Sequence, residues 1–144
     1  MVVRTSTAEW RGRVPDGSGT VSLGSGAFEG AYSYGSRFED QAGTNPEELL
    51  GAAHASCFTM ALSLLLTQAG FSATRIKTMA KVEIARLTDG FAITGIELVT
   101  EGEVPGLDAT TFAAHAQDAK PTCPVSKALA GGDITLTSRF IEGS

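Results

Sequence analysis

The chain has 144 residues, 42% hydrophobic and 19% charged, with a formal net charge of -5. That is too apolar for a disordered chain and suits a single globular domain over 1–144. The acidic balance, with no basic run, repels phosphate backbones and disfavours nucleic-acid binding, and two cysteines are too few for a disulfide scaffold.

The first residues, MVVRTSTAEWRGRV, lack the apolar core of a signal peptide, so a cytoplasmic protein is expected. The first forty residues are glycine-rich. Short alternating runs (Val21 and Leu23, then Ala27 to Tyr34) sit between the turn signals PDGSG and LGSG, which predicts two or three antiparallel strands.

A long helix is expected over Pro46–Ala69. Asn45 suits the N-cap and Pro46 the first helical position. Glu48 falls at the third position, where a capping carboxylate belongs, and both Glu47 and Glu48 favour the positive end of the helix dipole. Gly70 can take the left-handed conformation that stops a helix. The run Leu49–Leu66 is apolar enough to raise the question of a membrane span. It carries His54, Ser56, Thr59 and Ser63 and has no basic or aromatic anchors, so a core helix is the better reading.

Two strands follow, Arg75–Leu87 and Phe91–Thr100, joined by Thr88-Asp89-Gly90. The alternation shifts phase at Gly95, which suggests a bulge. A helix from about Asp108 to Ala119 is expected to be interrupted by Pro121. A second short helix begins at Thr122-Cys123-Pro124 and ends near Gly131, and a strand over Ile134–Phe140 closes the chain. The order of strands, helix, hairpin, helix and strand is that of an α+β domain. One small sheet can cover only one side of a helix that is apolar nearly all round, so a homodimer is expected, with a second copy covering the rest.

Cys57 and Cys123 are 66 positions apart and form no CxxC motif. Cys57 lies mid-helix among Ala55, Phe58, Met60 and Ala61, where desolvation raises a thiol and leaves it inert unless a cation reaches it. Cys123 precedes Pro124 at a helix start, where exposed N–H groups favour a thiolate. Local chemistry therefore ranks Cys123 as the more reactive, and a packing role for Cys57 stays open. Glu47 is ten positions before Cys57, roughly 15 Å along one helix, so it reaches that thiol directly only across an antiparallel pair of helices. His54 is three residues before Cys57 on one helical face, which admits a Cys–His nucleophile. A zinc site from His54, Cys57, His115 and Cys123 matches no usual spacing, so no metal and no cofactor are expected.

YSYGSRFE, GTNPEELLGAAHASCFTMALSLLL, DGFAITGIEL followed by EVPGLDA, and CPVSKAL stand in an order and spacing that resemble the OsmC branch of the OsmC/Ohr family of thiol-dependent peroxidases, over nearly the whole chain. The resemblance implies an α+β fold: an intertwined homodimer with antiparallel sheets wrapped around two long central helices and active sites at the interface. It also implies that Cys57 is the peroxidatic thiol and Cys123 its resolving partner, which reverses the local ranking. Arg37, in SRFE, would hold Cys57 as thiolate and contact the peroxide, and Glu47 would orient Arg37 through an ion pair. The substrate would be an organic hydroperoxide, and the reductant an external dithiol, with a lipoyl-type dithiol as candidate. The competing readings are a Cys–His acyl or thioester hydrolase and a non-catalytic stress-induced binding protein.

Overall fold

The computed structural model describes residues 1–131 and 133–142. The chain divides into two compact units, Met1–Leu49 and Leu50–Ser144.

The first unit is built on a three-stranded antiparallel sheet of β1 (Ser6–Arg11), β2 (Ser18–Leu23) and β3 (Glu29–Tyr32), in that order. Trp10 and Tyr32 stack on one face with ring centroids 5.4 Å apart. Gly19 lies beneath them, where a Cβ would overlap both rings. A five-residue helix not anticipated from the sequence, α1 (Tyr34–Phe38), follows β3 directly. Its cause is local. Ser33 accepts from the Ser36 N–H at 3.0 Å and the Ser36 hydroxyl accepts from the Ser33 N–H at 2.8 Å, a reciprocal capping box. Ser36 also donates to the Thr44 carbonyl at 2.7 Å, while the Thr44 N–H bonds the Ala31 carbonyl at 2.8 Å. These bonds fold 33–45 back onto the end of β3.

The long helix, α2, spans Pro46–Gln68. Its ends obey the expected chemistry. The Asn45 Oδ1 accepts from the Glu48 N–H at 2.7 Å, Pro46 opens the first turn, and Gly70 sits at φ +93° just past the end. The Glu48 carboxylate does not complete a capping box. It accepts the Thr44 hydroxyl at 2.7 Å instead.

In the second unit, β4 (Arg75–Leu87) and β5 (Gly90–Glu103) form the expected antiparallel hairpin. The bulge falls at Thr94, one residue before Gly95: Glu83 pairs with Gly95 and Ile84 with Ile93, so Thr94 is the extra residue. The last strand, β6 (Asp133–Phe140), pairs with β5 in parallel. This corrects the expectation of purely antiparallel sheets. The connection through α3 (Ala109–Thr122) and α4 (Pro124–Ala128) is a crossover long enough to bring the chain back in the same direction. A second correction concerns Pro121, which lies inside the last turn of α3 rather than breaking it. So close to the helix end, a missing N–H removes one bond and no further helix has to be sustained.

The core of this unit joins Phe58, Leu62 and Leu66 from α2, Ile96 and Leu98 from β5, Val104, and Phe112, Ala116 and Ala119 from α3 to Cys123. Gly51 brings α2 close to β4, since a Cβ there would already touch Val82 at 3.4 Å. The Thr59 hydroxyl donates to the Ala55 carbonyl at 2.7 Å and accepts from the Thr78 hydroxyl at 2.7 Å, and Thr78 lies 3.0 Å from Thr100, so the polar atoms between helix and sheet are paired. Within this unit α2 is not covered all round. Gly51, His54, Phe58, Leu62 and Leu66 form its buried stripe, at helical spacing, while Met60 (78% exposed) and Leu64 (57%) face outward. By length and composition α2 is also apolar enough to cross a membrane, but its buried stripe belongs to this core.

Candidate functional site

The four residues singled out in the sequence fall into two pairs, one in each unit. The first is Arg37 with Glu47. Arg37 ends the short helix α1 and Glu47 sits in the first turn of α2. The capping box at Ser33 and the bonds of Ser36 and Asn45 to this loop fix both backbones, with Asn45 Nδ2 donating to the Ser36 carbonyl at 3.2 Å. The guanidinium then grips the carboxylate at three points. Nε donates to Oε1 at 3.1 Å and to Oε2 at 3.2 Å, and Nη2 donates to Oε1 at 2.7 Å. Such a fork fixes direction as well as charge. The Glu47 side chain is 8% exposed and that of Arg37 37% exposed, so the carboxylate is enclosed while the cation keeps an open side. The Phe38 ring lies 5.1 Å from the guanidinium carbon and restricts it further.

The second pair is Cys57 with Cys123. Both are free thiols, and they are neighbours close enough to hydrogen-bond. Their environments differ in two respects. Cys57, on α2, is half-buried, whereas Cys123 is fully buried at the junction of α3 and α4. Burial pushes the Cys57 thiol up, and its role as donor to Cys123 pushes it further. Burial opposes ionisation of Cys123 as well. There, however, the bond from Cys57, the Ser126 N–H and hydroxyl and the Val125 N–H together outweigh it and bring the thiol below its ordinary value. Cys123 makes no side-chain bond of capping geometry, so these are convergent dipoles rather than a single strong bond. The two directions, up for Cys57 and down for Cys123, agree with the local ranking from sequence.

His54 does not form a dyad with Cys57. Its Nε2 lies 2.7 Å from the Ser126 hydroxyl, and its Nδ1 is buried without a hydrogen-bond partner. The ring is fully buried, which holds its pKa below the ordinary value and keeps it neutral. His115 is spent elsewhere, with Nδ1 2.9 Å from the Thr111 carbonyl. Among the described residues no three His, Cys, Asp or Glu side chains converge as metal ligands.

Sequence reasoning overlooked Ser126. It stands three residues after Cys123, the spacing at which a helix N-cap meets the third helical position, and the run CPVS contained that signal.

Comparison with known proteins places this geometry in context. The family model described as OsmC-like protein matches residues 38–139. The chain is 52% identical over 130 residues to the Peroxiredoxin OsmC of Escherichia coli K12, covering 90% of each chain. It is 35% identical over 98 residues to the Organic hydroperoxide resistance protein OhrA of Bacillus subtilis 168, covering 65% of each. Among solved structures, an organic hydroperoxide resistance protein from Elizabethkingia anophelis superposes with a TM-score of 0.72 at 27% identity, over 97% of this chain and 99% of that one.

Proposed function

The chain belongs to the OsmC-like protein family, and from that membership we propose that it is a peroxidase that reduces organic hydroperoxides, and hydrogen peroxide less well, through Cys57 and Cys123. The observation that carries this reading is the thiol pair: two free sulfurs side by side, of which only Cys57 is partly open to a substrate.

The Cys57 thiolate attacks the terminal oxygen of the peroxide. The O–O bond breaks, the alcohol leaves with a proton, and Cys57 becomes a sulfenic acid. The Cys123 thiolate then attacks the sulfenic sulfur. Hydroxide leaves, takes a proton and becomes water, and a disulfide remains. An external dithiol, of lipoyl type as the candidate, returns two electrons by exchange.

Cys57 needs a cation, since burial and Cys123 both oppose its ionisation. Arg37 is the residue for that role. A guanidinium stays charged whatever its burial, and Glu47 fixes its direction at three contacts. In this reading the two units make a single OsmC-like domain, and two copies form an intertwined homodimer around their long helices. The support for a second copy is the uncovered apolar face of α2, with Met60 and Leu64 turned outward, and Met79 exposed on β4. The setting is a cytoplasmic enzyme without cofactor in oxidative and osmotic stress defence.

The test is a free-thiol count on reduced protein before and after one equivalent of cumene hydroperoxide. Loss of both thiols in the wild type, a sulfenic acid at Cys57 in Cys123→Ser, and inert Cys57→Ser are expected. Survival of both wild-type thiols would overturn the reading.

A further inference from the structure

His54 has no part in the chemistry above, yet it is joined to Ser126 by a 2.7 Å bond across 72 positions of sequence, and both are buried. Burying a histidine is costly unless its nitrogens are satisfied, and here one is not. The orphan decides the tautomer. A buried N–H without an acceptor is rarer and costlier than a ring nitrogen lone pair without a donor. Nδ1 is therefore the bare nitrogen, and Nε2 carries the proton and donates it to the Ser126 oxygen. A serine hydroxyl has a single proton to give. With its oxygen accepting from His54, that proton is free for another acceptor, and the sulfur of Cys123, one helical turn back in sequence, lies within its reach.

We propose that His54 is a positioning residue which, through Ser126, aims a hydroxyl proton at the Cys123 sulfur and so prepares Cys123 as the resolving thiolate. The inference rests on the two-cysteine reading above and adds to it a function for the neutral imidazole. A prepared Cys123 serves twice. It attacks the Cys57 sulfenic acid without first having to shed a proton. It is also the better leaving group when an outside thiol attacks the more accessible Cys57 sulfur of the disulfide. Among the described residues the groups acting on Cys123 are Cys57 from α2 and the Ser126 and Val125 dipoles from α4, while His54 reaches it through Ser126 alone. The Ser126 hydroxyl adds to the bond from Cys57 and the Ser126 N–H, and it is this contribution that His54 controls.

The test reads Cys123 by itself, in a Cys57→Ser background that keeps a hydroxyl donor at position 57. Thiolate ultraviolet absorbance is followed against pH. Adding Ser126→Ala is expected to raise the midpoint by about one pH unit, as loss of one bond to a charged group implies. His54→Leu should raise it similarly. His54→Gln, whose amide N–H can stand where Nε2–H stands, should restore it. In the two-thiol protein at neutral pH, a tenfold smaller thiolate fraction is partly offset by greater nucleophilicity, so the Cys57 sulfenic acid of Ser126→Ala should live about threefold longer. A midpoint that stays within about 0.2 unit in both Ser126→Ala and His54→Leu would overturn the proposal. If instead the wild type never forms the disulfide, the two-cysteine reading fails while the absorbance titration still decides the role of His54.

Discussion

Removing the Arg37 side chain should cost stability because of what it leaves behind. Glu47 is 8% exposed and accepts three N–H contacts from that one guanidinium. Breaking a fully buried ion pair costs about 3–5 kcal/mol, since the survivor is an uncompensated charge. Arg37 is 37% exposed, so solvent screens its side of the pair and water can replace part of it. The expected cost of Arg37→Ala is therefore about 1–2 kcal/mol. Glu47→Gln should cost about 1 kcal/mol, and the double variant clearly less than the sum of the two. Urea denaturation of the four proteins at one fixed concentration measures the coupling. Arg37→Lys separates charge from direction. It keeps the cation and should recover part of the stability, but it loses the fork. With the role proposed for Arg37, oxidation of Cys57 by cumene hydroperoxide should slow about 10²-fold in Arg37→Lys, the usual effect of misplacing one stabilising donor. A coupling below about 0.3 kcal/mol would refute the energetic reasoning, and wild-type oxidation by Arg37→Lys would show that the fork does not direct the chemistry.

Three further outcomes follow from other parts of the structure. A Cβ on Gly102 would overlap the Phe112 ring, which packs 5.5 Å from Phe140, so Gly102→Ala should lose about 1–3 kcal/mol in the same denaturation assay. Burial holds His54 below its ordinary pKa of 6.5; above that value the ring is neutral folded and unfolded, and below it the unfolded chain takes up a proton that the folded one resists. Stability should thus fall as pH drops below about 6.5, with a shallower slope in His54→Gln, as read by melting temperature against pH. Met60→Glu and Leu64→Glu place charge on the open face of α2 and should shift a dimer toward monomer in sedimentation, whereas a wild type that sediments as a monomer would remove the dimer from the proposal.

The elements that could be read from the sequence are those whose causes are local. Asn45, Pro46 and Gly70 delimit α2 through their own side chains or backbone, and the β4–β5 hairpin follows from Thr88-Asp89-Gly90 between alternating runs. The parallel pairing of β6 with β5 has no local cause, because it depends on where a two-helix crossover returns the chain. The same holds for the site. Glu47 and Cys57 were noticed for their places on a helix and Cys123 for preceding Pro124. Arg37 is one arginine among several, singled out only by family resemblance, and its grip on Glu47 depends on the α1 capping box, a contact between Ser33 and Ser36 that leaves no mark in the hydrophobic periodicity. Ser126 stood in CPVS at capping spacing from Cys123, but its bond to His54, 72 positions away, had no local sign.

The two rankings of the thiols concern different quantities. Local chemistry asked which sulfur ionises more readily, and the dipoles around Cys123 answer in its favour. The family resemblance asked which sulfur meets the substrate, and exposure favours Cys57. In this pair the two properties are separated. Were the exposed sulfur the more acidic one, it would be the better leaving group of the disulfide, sending the reductant toward the buried sulfur. With Cys123 the more acidic sulfur, an outside thiol that attacks Cys57 expels the better leaving group. In the proposed mechanism Cys57 draws its own activation from Arg37, whose direction Glu47 fixes. On this reasoning the acid order measured in the resting protein should be Cys123 before Cys57, and Arg37→Ala should widen the gap between the two by raising Cys57 while leaving Cys123 near its wild-type midpoint.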